Sequence, residues 1–86
     1  MTEKLLSDLE RVETREDLSC FVTELAQDLK ENKADWENQD LPSFLEAVSA
    51  WIEDMDGFYK NKGEEIPESV SWKAFANILY AAKRYE

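Results

Sequence analysis

An all-α fold, a compact bundle of three main helices with a shorter one ahead of them, is what this sequence predicts. Three observations carry the expectation. Apolar residues recur at spacings of three and four along most of the chain, the period of a helix with one buried face. Only two glycines and two prolines interrupt it, and both prolines sit at apparent element boundaries. That favours few long elements over many short strands. The 86 residues are 43% hydrophobic and include three Trp, three Tyr and four Phe. A chain of this length builds one core, burying roughly 60 to 65% of its unfolded surface, and has no room for a second domain.

Each element has its own signal. Leu5, Leu9 and Val12 at i, i+4, i+7 predict a short helix over about residues 3–12. Thr14-Arg-Glu-Asp17 reads as a capping box that opens the next helix. Leu18, Phe21, Val22, Leu25 and Leu29 then form one stripe of a helix over about 15–32. The segment NKADWENQD breaks the beat. Asp40 is placed to cap the following helix, and Pro42 is tolerated in a first turn, where its missing N–H has no intrahelical partner.

Phe44, Leu45, Val48, Trp51, Ile52, Met55, Phe58 and Tyr59 keep the strongest helical rhythm, over about 42–62. Gly57 within it costs about 0.5–1 kcal/mol relative to Ala, so a bend or an early end is expected there. Gly63 is the natural stop. A loop, EEIPES, turns around Pro67. Ser71 caps the last helix, about 72–85, in which Trp72, Phe75, Ile78, Leu79, Ala82 and Tyr85 share one broad face. Lys73, Asn77, Lys83 and Arg84 are expected on its solvent side.

Twenty acidic residues against ten basic ones leave a net charge of −10, without a histidine. Nucleic acid is excluded as a partner, because affinity for phosphates comes from Lys and Arg. Anionic membrane surfaces are disfavoured for the same reason. The charge is uneven: residues 1–43 hold twelve acids and five bases, residues 44–86 eight and five. A basic protein surface is the partner this favours, meeting the N-terminal half. A single cysteine, Cys20, allows no internal disulfide and fits a reducing compartment. The N-terminus, MTEKLLSDLERVE, lacks the apolar core of a signal peptide. A cytoplasmic protein is expected.

One stretch invites a metal. DMDGFYKNKGEE, residues 54–65, has the length and some of the oxygen ligands of a calcium loop. Begun at Asp54, however, it puts Phe58 at position 5 and Tyr59 at position 6, where an oxygen ligand and a glycine are required. Met55, Phe58 and Tyr59 also continue the apolar stripe, so the segment reads as helix and no metal site is assigned. Asp54 falls on the flank of that stripe and is expected half-buried beside a hydrogen-bond partner.

Glu53-x-x-Asp56 echoes the carboxylate spacing of helical magnesium-dependent nucleotide pyrophosphatases. That chemistry needs a second acidic pair, such as Glu24 and Asp28, facing the first. The absence of histidine removes His-based general bases, Ser-His and Cys-His pairs and the common zinc sites. Cys20 lacks an activating cation and reads as a small residue packed under the first helix. No catalytic residue and no cofactor is predicted.

Trp51 and Trp72 are expected in the core. Trp36, in a loop among acids, either clamps that loop down or stands out as a recognition anchor. The feature least explained by folding is acidic. Asp17, Glu24, Asp28 and Glu31 fall within about 60° on the second helix. Their i,i+4 and i,i+3 repulsions cost about 0.2–0.5 kcal/mol each. With Trp36 they form the predicted docking face for a basic partner.

W-E-N at 36–38, FLEAVSAW at 44–51, D-M-D-G-F-Y at 54–59 and PESVSWKAFANILYAAKRYE from Pro67 onward together resemble a small bacterial family of unknown function, over about residues 14–86. The resemblance implies a bacterial, cytoplasmic, single-domain protein and brings no mechanism; residues 1–13 lie outside it. The expected function is non-enzymatic: an interaction or regulatory protein, immunity- or antitoxin-like, that binds a basic partner. The alternative is a magnesium-dependent nucleotide-processing enzyme.

Overall fold

In the computed structural model, which describes residues 2–66 and 69–85, the chain forms α1 (Thr2–Glu10), α2 (Arg15–Glu31), a 3-10 turn (Lys33–Asp35), α3 (Leu41–Asn61) and α4 (Trp72–Ala82). The caps are those the sequence announces. The Thr14 hydroxyl accepts from the Asp17 N–H at 3.1 Å, and Asp17 Oδ2 accepts from the N–H of Glu13 and of Thr14. Such a cap is worth about 1 kcal/mol. Asp40 accepts from the Ser43 N–H, and Ser71 from the Ala74 N–H, both at 2.9 Å.

The ends differ in instructive ways. α1 stops at Glu10 because the N–H groups of Arg11 and Val12 bond three residues back, to Asp8 and Leu9. This tightens the turn and buries Val12 to 1% exposure. α3 runs through Gly57 to Asn61, so the glycine neither ends it nor opens a metal loop. Gly63 takes φ +72°, a conformation in which a Cβ is strained, and lets the Glu64 N–H reach the Tyr59 carbonyl at 2.9 Å.

α4 ends at Ala82 rather than near Tyr85. The loop after α2 binds the carbonyls at and just beyond its end: the N–H groups of Glu37 and Asn38 bond the Lys83 carbonyl, and Asn38 Nδ2 donates to those of Ala82 and Tyr85. Pro67 and Glu68, the centre of the expected loop, lie outside the described residues.

α4 is the central helix. It packs against α1, α2 and α3; α1 and α2 also pack on each other, whereas α3, among the described residues, packs on α4 alone of the helices. The core has two parts. Leu5, Leu9, Leu18, Phe21 and Leu25 gather with Trp36 around Ala76, while Trp51 and Tyr59 close on Ile78.

Because α4 buries both flanks, the residues between those flanks face the gap separating α2 from α3. That explains the main correction to the expected core: Trp72 and Phe75 are 45% and 41% exposed. Val22, Leu45 and Ile52, assigned to buried stripes, are exposed as well. Cys20 is exposed rather than packed under α1.

Candidate functional site

The predicted acidic stripe comes apart in the folded chain. Asp17 spends its carboxylate on the α2 capping box. Glu24 is bridged by Lys4 Nζ at 2.8 Å, and Glu31 accepts from Gln27 Nε2 at 2.7 Å. Asp28 is not on the surface at all. It is 5% exposed and Trp36 6%, so neither can serve as a recognition residue as expected. Trp36 is a clamp: its ring lies 6.1 Å from that of Phe44, and its indole N–H donates to Asp28 Oδ2 at 2.8 Å.

Asp28 is the centre of a buried polar network. Asn32 Nδ2 donates to its Oδ1 at 2.9 Å, and Lys83 Nζ lies 3.0 Å from Oδ2. Lys83, expected on the solvent side of α4, has a side chain only 2% exposed. Its ammonium sits 5.4 Å from the Trp36 ring centroid and 5.8 Å from that of Tyr80, a cation–π position. Burial by itself pushes the Asp28 carboxyl up, but the hydrogen bonds from Trp36, Asn32 and Lys83 outweigh it and hold the group well below the usual carboxylate range. The network ties α2, the Trp36 loop and the end of α4 together.

A pH dependence follows. A depressed carboxyl adds stability that is fully present above the unfolded-state pKa, near 4, and is lost as pH falls further and Asp28 protonates. Asp28→Asn should therefore lower the unfolding free energy by a constant amount between about pH 6 and 8, and the gap to wild type should narrow below about pH 4. Urea titrations of both proteins across that range check it. A gap that does not narrow down to about pH 2 would show that folding does not hold the Asp28 carboxyl below its ordinary range.

The other singled-out carboxylates are surface groups. Asp54 is exposed rather than half-buried, and it accepts from the Tyr85 hydroxyl, which holds that phenol above its ordinary range. Glu53 and Asp56 are exposed. Among the described residues no three Asp, Glu or Cys side chains come together as a metal site would require.

Sequence reasoning missed an apolar trough. Val22, Ala26 and Leu29 on α2 face Leu41 and Phe44 at the start of α3, across Leu79 of α4. The space between them is about 310 Å³. Trp72, Phe75 and Leu79, at i, i+3 and i+7, lie on one face of α4, so the exposed Trp72 and Phe75 extend the line of the trough's floor. On α3 the exposed Leu41, Leu45 and Ile52 run along one side of the helix, and Glu46, Glu53 and Asp56, all exposed, lie on the adjoining flank. The signal is present in the spacing, but spacing alone assigns those residues to the core.

No curated protein and no solved structure matches the chain. A family model does, over residues 14–86, from the capping threonine to the last residue. By that match the chain belongs to the family of unknown function DUF7660.

Proposed function

We propose that this is a non-enzymatic interaction protein that binds a protein partner with a basic surface. One observation carries the reading. A chain of net charge −10 exposes large apolar side chains along two helices, Leu41, Leu45 and Ile52 on α3 and Trp72 and Phe75 on α4. Apolar surface gathered in this way marks a contact for another macromolecule, and the surrounding acidity selects for positive charge and speeds encounter with it. Such a role fits a small regulatory or immunity-like protein working in the cytoplasm.

Affinity capture from a lysate of the source organism tests the reading, provided the captured protein is identified and remade. Its association with the purified chain should be fast at low ionic strength and should slow by about tenfold or more between roughly 50 and 500 mM salt. Association that ignores salt, or a captured partner with an acidic surface, would contradict it.

A further inference from the structure

The trough between α2 and α3 has the form of a helix-accepting groove. Leu79 of α4 lies on its floor, and α2 and the start of α3, which among the described residues do not pack on each other, form its walls. The loop of Trp36, Asn38, Gln39 and Asp40 closes it on a further side, and its exposed lining is mostly apolar. Grooves of this kind take the apolar face of an amphipathic helix. Three features narrow the occupant. Asp40 lines the trough at the start of α3, and the α3 flank beyond the apolar line of Leu41, Leu45 and Ile52 carries Glu46, Glu53 and Asp56 against one cation, Lys60, all exposed. A second copy of the chain would itself carry a net charge of −10. The chain's own cations are also in part engaged within the fold, Lys4 with Glu24, Lys62 with Glu64 and Lys83 with Asp28.

We propose that this trough binds an amphipathic helix of the partner, its apolar side chains seated between Val22, Leu41 and Leu79 and its lysines or arginines set against Glu46, Glu53 and Asp56. The proposal rests on the reading above and gives it a place on the molecule.

The probe is a synthetic helix of about 18 residues, long enough to be helical, with leucines at i, i+3, i+4, i+7 and lysines elsewhere. A second peptide carries glutamate in place of every lysine. Binding is measured by calorimetry to wild type and to three variants: Ala26→Gln, which fills the trough with a polar side chain, Leu41→Ser, which removes part of its wall, and the double change Glu46→Gln with Glu53→Gln, which removes two negative charges. Ala26, Leu41, Glu46 and Glu53 are all exposed, so the variants should fold.

Wild type should bind the lysine peptide and not the glutamate peptide. Ala26→Gln and Leu41→Ser should each weaken binding by about tenfold, and the double variant should weaken it and flatten its salt dependence. Lysine-selective binding untouched by Ala26→Gln and Leu41→Ser would overturn the trough while leaving the basic-partner reading intact. Equal binding of both peptides would overturn that reading too. Binding of neither peptide overturns the trough, as does wild-type self-association that Leu41→Ser abolishes, which would make a second copy the occupant.

Discussion

Replacing Asp28 with Lys should abolish the cooperative folding transition or lower the Tm by about 20 °C or more. Judged from α2 alone, the same change relieves two repulsive pairs, Glu24/Asp28 and Asp28/Glu31, and should be neutral or slightly stabilising. The structure reverses that sign. Asp28 is 5% exposed and bonded to a lysine ammonium with a side chain 2% exposed. Removing one member of a buried pair costs about 3–5 kcal/mol because the survivor is left charged and dry. A second ammonium beside Lys83 adds direct repulsion and leaves the indole N–H of Trp36 without its acceptor.

Stability in a domain of this size is about 5–15 kcal/mol, so the fold has little left. Lys83→Met, which keeps the apolar stem and removes the charge, isolates the pair and should cost about 3–5 kcal/mol. Thermal unfolding by circular dichroism measures both. An Asp28→Lys protein as stable as wild type would mean that this position faces water.

The second large effect belongs to Trp51. It is 6% exposed, meets Phe58 edge-on with ring centroids 5.2 Å apart, and joins Tyr59 and Ile78 in the smaller part of the core. Because α3 packs on α4 alone of the described helices, this contact carries much of what holds α3 in place. Trp51→Ala should cost about 3–5 kcal/mol. Trp72→Ala, at a residue 45% exposed, should cost well under half of that. Equal losses at the two tryptophans in chemical denaturation would contradict the way α4 divides its faces.

That contrast marks where the sequence is legible. Helix existence, three N-caps and the glycine stop are local properties, set by spacing and by side-chain-to-backbone bonds within a few residues. All of them emerge from it. Which side of a helix is buried is settled by what packs against it. α4 touches three helices, so its apolar residues are distributed over two buried flanks and an open strip, and periodicity cannot tell Ile78 from Phe75.

The Asp28–Lys83 pair lies further beyond local reading. Its members are 55 residues apart, and each, taken singly, has the chemistry of a solvent-facing residue. A hint is there: Asp28 sits three residues after Leu25 and seven after Phe21, both buried, which places it on the apolar face of α2. The same misjudgement runs in both directions. Local pattern assigns the charged network to the surface and the apolar trough to the core.

Docking of a basic helix in the trough between α2 and α3 can be located residue by residue through backbone amide chemical shifts. Titrating the leucine–lysine peptide into isotopically labelled protein should move the amides of Val22, Ala26, Leu41, Leu45 and Ile52, and leave those of Asp17 and Glu24 in place. Shifts centred instead on Asp17, Glu24 and Glu31, with the trough silent, would rule out docking there and return recognition to the acidic side of α2.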